Sequence, residues 1–222
     1  MKINYRVSVP IFVSILFLLA SCKKEDAGSR SFDSSNPVGY VVYGTYKHDF
    51  MHPGVNQPLV IKFLPDNRIE YNNYLGTATY PYTMSNDTFY INGTDYESFV
   101  IKDEKVTRYV YAADIRGFSL NVRKVPSGNE LEGKTFSGKY YKPDGSVLHN
   151  NFIYGFIPGN KLTAAFTPGA IERTNDYTSI ANIASRSHPA AGQVEFTLLI
   201  DGKLYATYAN GQALQYGTFE WN

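Results

Sequence analysis

The 222-residue chain has one cysteine, one tryptophan and four histidines. A single cysteine excludes an intramolecular disulfide, so stability must come from a packed core. Four histidines, of which only His48 and His52 are close in sequence, offer little material for a metal centre, which needs three or four protein ligands. Net charge is nearly absent: 21 basic residues stand against 20 acidic ones, for a formal charge of +1. That balance provides no basic field for a phosphate backbone and argues against nucleic acid as a partner. Only one long apolar run occurs, Val9 to Leu19, and it is too short to cross a bilayer as a helix. No cofactor motif is present, and no Gly-x-Ser-x-Gly elbow.

That apolar run follows Lys2 and Arg6 and ends in Leu19-Ala20-Ser21-Cys22. Residues 1–21 therefore read as a signal peptide. The four-residue end resembles the lipobox of bacterial lipoproteins. The resemblance implies that Cys22 is acylated and becomes the mature N-terminus, with two or more acyl chains holding the protein at a membrane. Lys23, where an aspartate would retain the protein, resembles sorting to the outer membrane. Lys23-Lys24-Glu25-Asp26 resembles the export tag of Bacteroidota surface lipoproteins, which implies a lipid-anchored, surface-exposed outer-membrane location. Residues 22–37, rich in Ser, Asp, Gly and Lys, read as a flexible tether.

What the chain has in abundance is aromatic residues, 19 Tyr and 14 Phe. Both favour half-buried pleated surfaces. From Val38 the apolar period is two. Ala78, Tyr80, Tyr82 and Met84 share one face of a run, with Pro81 opposite pointing to an edge or bulge, and Phe118, Leu120 and Val122 share one face of another. Turn chemistry falls between the runs at Pro65-Asp66-Asn67, Ser85-Asn86-Asp87, Asn92-Gly93, Asp103-Glu104 and Asp201-Gly202. The pattern predicts an all-β antiparallel meander with little helix. Its boundary candidate, Pro126-Ser127-Gly128-Asn129, separates residues 38–126 from 131–222. These two stretches are either one barrel or two packed β modules. One helix is expected, over Thr174 to Ser185. Gly44-Thr45-Tyr46 in the first half echoes Gly133-Lys134-Thr135-Phe136 in the second.

A glycine-aromatic opening followed by short meander strands and Pro-Asp turns, behind a lipobox, resembles the lipocalin-like lipoproteins of Bacteroidota. The Gly-x-Trp opening of lipocalins is Gly44-Thr45-Tyr46 here. The resemblance implies a barrel-type binding scaffold without catalytic residues.

Candidate chemistry is sparse. His48 and His52 read as loop residues. Ser146 and His149 point to opposite faces of one strand, so with Asp144 they do not form a triad. Arg108 is in phase with Val106 and Val110, and Arg116 with Phe118 and Leu120. If those neighbours face inward, a guanidinium reaches a barrel mouth and calls for an anionic ligand group, with Tyr80 and Tyr82 lining the same space. On base rates of arginine burial, the alternative that both arginines end in water is favoured. A separate possibility is sugar stacking on Tyr40, Tyr43, Tyr46, Tyr109, Tyr111, Tyr140 and Tyr141. The expected function is non-catalytic binding of a small amphipathic molecule or glycan, with no cofactor. The rival is an accessory lipoprotein that contacts an outer-membrane protein through exposed tyrosines, and a hydrolase with an unrecognised site comes third.

Overall fold

The computed structural model describes residues 32–111, 115–211 and 213–222. Cys22 and the signal segment lie outside the described residues. Sixteen antiparallel strands and no helix are present among them. They close into two eight-stranded barrels, each an up-and-down meander whose last strand pairs with its first. Of the two arrangements left open above, the protein has two packed β modules.

The first barrel comprises β1 (Tyr40–His48), β2 (Gln57–Leu64), β3 (Arg68–Asn73), β4 (Gly76–Ser85), β5 (Thr88–Ile91), β6 (Glu97–Lys102), β7 (Lys105–Tyr111) and β8 (Ile115–Lys124). The second comprises β9 (Thr135–Tyr141), β10 (Val147–Ile157), β11 (Lys161–Ala165), β12 (Arg173–Ile180), β13 (Ala184–Ser187), β14 (Gln193–Ile200), β15 (Lys203–Asn210) and β16 (Ala213–Trp221). The hairpins follow from local chemistry. Both central residues have positive φ at Asp66-Asn67, Asn86-Asp87, Asn92-Gly93, Asp103-Glu104 and Asp201-Gly202. Such paired left-handed residues match the twist of the flanking strands.

The helix expected over Thr174 to Ser185 is instead a hairpin. β12 and β13 pair from Tyr177↔Ser187 to Ile180↔Ala184. Ala181 and Asn182 make the turn with φ of 49° and 58°. The β-branched residues Thr174, Thr178 and Ile180 suit a strand better than a helix, and that preference prevails. Pro81 marks neither an edge nor a bulge. It stands where β4 leaves its last partner on β3, Arg68↔Pro81, and takes up β5 at Tyr82↔Ile91.

One end of the first barrel is filled by aromatic rings. Phe89 stacks on Phe99 at 5.1 Å between centroids, and Phe63 and Tyr82 pack on Phe89 at 5.2 and 5.5 Å. Phe32 closes this end, edge-on to Tyr40 at 5.2 Å. The last residues of the expected tether are thus docked on the barrel. Each such ring pair contributes about 0.5–1.5 kcal/mol beyond its area burial. The second barrel has its own core around Phe136, Tyr154, Phe156, Leu162, Leu204 and Phe219.

A third core lies between the barrels. Val41, Tyr43, Val55, Val60 and Tyr74 of the first meet Ile180, Ile183, Ala184, Phe196, Leu198 and Leu214 of the second. β2 and β14 therefore bury residues on both faces, with Leu59-Val60-Ile61 on β2 and Leu198-Leu199 on β14 apolar on both sides. The linker is tied down as well: Asn182 Nδ2 donates to Pro126 O at 2.8 Å, and Arg123 pairs with Glu130.

Candidate functional site

Eight strands leave an interior that side chains nearly fill or that holds one small ligand. Each barrel here keeps a partly open cavity near one end. In the first barrel, the ends of β1, β3 and β7 and the starts of β2 and β4 frame a cavity of about 180 Å³. Tyr46, Tyr71, Tyr80, Tyr109 and Tyr111 line it with Leu59, Asn73, Thr77 and Ala78. Alternation delivers these rings inward: Ile69 and Tyr71 on β3, Ala78 and Tyr80 on β4, Tyr109 and Tyr111 on β7. Burial raises the pKa of Tyr46, Tyr71 and Tyr109, and neighbouring phenols raise it further. Their hydroxyls therefore remain protonated and can both donate and accept.

In the second barrel a cavity of about 190 Å³ is lined by Tyr140, His149, Phe152, Phe166, Arg173, Tyr208 and Gln215. Its mouth is aromatic. The His149 and Phe166 rings lie 4.8 Å apart, and Phe152 meets Phe166 edge-on at 5.3 Å. A charged network forms its wall. Glu195, 1% exposed, accepts at Oε1 from Arg173 Nη2 at 2.6 Å and from Tyr154 Oη at 2.5 Å. Its Oε2 accepts from Ser187 Oγ at 3.2 Å. Tyr140 and Tyr154 share a further hydrogen bond through their hydroxyls. Arg173 Nη1 also donates to Asn175 Oδ1 at 3.0 Å.

An unpaired carboxylate so deeply buried would cost several kcal/mol, about the penalty of stripping its water; here one guanidinium and two hydroxyls replace that water. Burial disfavours the charge on Arg173, but the Glu195 carboxylate outweighs it and raises the guanidinium pKa. Burial first, and then the Glu195 charge, raise Tyr140 and Tyr154.

The sequence-derived candidates divide between inside and outside. Tyr80, Tyr109 and Tyr111 line the first cavity. Tyr82 sits deeper, packed on Phe63 and Phe89 in the closed end. Arg108 and Arg116 are both exposed, because each lies at a β-bulge. The β6–β7 register slips between Val100↔Arg108 and Ile101↔Val106, which inserts Thr107 and turns Arg108 outward while Tyr109 turns in. The β1–β8 register slips between Lys47↔Gly117 and His48↔Ile115, and the residue left over is Arg116. It ion-pairs with Asp49 on the surface. A bulge reverses the inward–outward phase, so periodicity alone misplaces both guanidiniums.

Tyr40, Tyr43, Tyr46, Tyr109 and Tyr140 are buried, so they form no exposed stacking face. Tyr43 belongs to the core between the barrels. His48 Nδ1 accepts from the N–H groups of Phe50 and Met51, both at 3.2 Å, and so caps its loop. Ser146 bonds Asp144 within a turn, whereas His149 packs at the second cavity mouth.

The polar groups that matter most were missed. Arg173 borders the segment read as a helix, which hid its strand phase with Asn175 and Tyr177. Glu195 belongs to a strand buried on both faces, where alternation does not say which side is inward.

No family model matches the chain, and no curated protein matches it. Two solved structures align loosely. One is a protein of unknown function of the DUF3598 family from Nostoc punctiforme: 10% identity, 82% of this chain and 95% of that one, TM-score 0.27. The other is apo lipid binding protein 8 of Caenorhabditis elegans: 11% identity, 86% and 98% coverage, TM-score 0.15. Neither likeness is close enough to carry an argument about this chain.

Proposed function

We propose that the protein is a non-catalytic binding protein that holds a small amphipathic molecule in its second barrel. The observation that carries this reading is the pairing of an aromatic mouth with Arg173 in the cavity wall. A guanidinium has five N–H donors, and Asn175 and Glu195 account for two of them. An oxygen-bearing polar end matches such donors, and an apolar end matches Phe152, Phe166 and the His149 ring. The Arg173–Glu195 pair is neutral overall, so the fitting polar end is a carbonyl, hydroxyl or single carboxylate rather than a multiply charged group.

Native mass spectrometry of the chain purified from its own host tests this. The expected result is a bound organic molecule, lost in Arg173→Lys, which keeps a cation beside Glu195 but removes the planar fork. A ligand-free mass for the parent chain, or the same adduct in Arg173→Lys, would overturn the reading.

The reading includes anchoring of this binding unit to the outer membrane through acylated Cys22, on the strength of the lipobox resemblance. Cys22→Ser is expected to move the protein from the membrane to the soluble fraction. Retention at high salt would show that acylation is not the anchor.

A further inference from the structure

The first barrel carries polar groups that the second-barrel site does not use. Glu97 opens β6 in phase with Phe99 and Ile101, both of which belong to the barrel core. It therefore faces inward, and its register partner is Tyr111 of the cavity wall. Its Oε2 is buried and has no hydrogen-bond partner among the described residues. Tyr71, 6% exposed and lining the cavity, also has an unpartnered hydroxyl. That hydroxyl lies beside the Tyr109 hydroxyl, and each affects the other's pKa. Buried polar atoms in folded proteins are nearly always paired. Tyr71 lines the cavity, and Glu97, which is not itself part of the lining, faces inward beside Tyr111 of its wall, so the two mark groups awaiting a partner.

The chemistry of that partner follows from what the orphans need. A carboxylate oxygen only accepts, so the missing group is a donor. No lysine or arginine lines the cavity among the described residues, and the two bulges hold Arg108 and Arg116 outside. The chain's nearest answer is Arg186 of the second barrel. Its Nη2 donates to Asn73 O and Gly76 O, each at 2.6 Å, and its Nη1 bonds Thr77 Oγ1. These acceptors belong to the β3–β4 turn at the cavity rim, so this end of the barrel already draws one cation.

We propose that the first-barrel cavity binds a small organic amine, with its ammonium at Glu97 and its apolar part against the tyrosine rings. The tyrosines suit that apolar part. Tyr71 and Tyr80 lie 5.9 Å apart edge-on, and Tyr109 and Tyr111 lie 6.5 Å apart nearly parallel. Tyrosine faces attract cations as well as apolar groups. The cavity, about 180 Å³, equals the liquid volume of about six waters. That admits a primary amine with one ring or a short chain and excludes a long acyl tail.

The test is calorimetric titration of the full chain with 2-phenylethylamine and with 2-phenylethanol, its neutral counterpart. The amine is expected to bind at least about tenfold more tightly than the alcohol, the worth of one charge-assisted contact. Glu97→Gln is expected to abolish that preference and leave alcohol binding unchanged, and Tyr71→Phe to weaken the amine more mildly. Arg173→Lys, in the other barrel, leaves amine binding intact. Equal affinity for amine and alcohol, an undiminished preference in Glu97→Gln, or no amine binding at millimolar concentration would each overturn the proposal.

Discussion

Glu97 and Glu195 both point into a barrel, and they meet opposite surroundings. Glu195 is surrounded by Arg173, Tyr154 and Ser187, so its charge is matched. Burial alone acts on Glu97 and raises its carboxyl above the ordinary value of 4.5. Among the described residues it faces the phenols of Tyr71 and Tyr109, whose burial keeps them protonated in this range. A carboxyl whose folded pKa lies above its unfolded one destabilises the fold when ionised. That penalty is absent below about pH 4.5, where both states are protonated, and grows as pH rises through the folded pKa. Glu97→Gln is therefore expected to stabilise the ligand-free protein at neutral pH. The gain is less than about 1 kcal/mol, because the group is partly solvated. Urea unfolding at pH 7 and pH 4 checks the sign: the difference from the parent should shrink at pH 4. Glu195→Gln should act in the opposite direction, lowering stability by at least about 2 kcal/mol through an unbalanced Arg173. A site that keeps an unpaired carboxylate at the expense of stability fits a ligand-holding role better than a structural one.

Strands and turns differ in how plainly the sequence announces them. Asp66-Asn67 and Asp201-Gly202 were readable because their chemistry is local: these residues tolerate the positive φ that a tight hairpin demands. The inward faces of β4 and β8 were readable for the same reason, since alternation needs no knowledge of partners. The bulges at Thr107 and Arg116 were not, because a bulge is defined by the register of two strands and either strand alone looks regular. The two arginines in phase with apolar neighbours stand at those bulges, so phase alone points them inward, whereas base rates of arginine burial favour the water-facing placement that the structure has. The repeat between the halves also proves different in the structure. A Cβ on Gly44 would lie 2.0 Å from Ser119 O of the closing strand, and one on Gly138 would lie 2.5 Å from Thr218 O. Each glycine lets the first strand of its barrel approach the last, and each is followed two residues later by an inward tyrosine, Tyr46 or Tyr140, that lines a cavity. The true counterpart of Gly44-Thr45-Tyr46 is thus Gly138-Lys139-Tyr140. Gly133, which matches Gly44 in residue order, lies before β9 and outside the strand that closes the barrel.

The two barrels form one cohesive body because outer faces that would normally meet water are instead apolar. Phe196 stands at the centre of that contact. It is fully buried, belongs to the core shared by both barrels, and carries the Arg186 guanidinium over its ring at 5.4 Å. Arg186 then reaches the β3–β4 turn of the first barrel, so the second barrel braces the rim of the first barrel's cavity. Neither half would be soluble alone with this face exposed, since contiguous apolar patches of that kind drive association. The parent chain is accordingly expected to unfold in one calorimetric transition, with equal van't Hoff and calorimetric enthalpies. Phe196→Ala removes the ring from both the shared core and the arginine, at a cost of about 3–5 kcal/mol for a large aromatic in a packed core. Because the lost contacts lie between the barrels while the cores around Phe89 and Phe136 stay whole, the variant should unfold in two resolved transitions. Two transitions already present in the parent chain would mean that the barrels are independent domains, and the bracing of the first cavity by Arg186 would then contribute little.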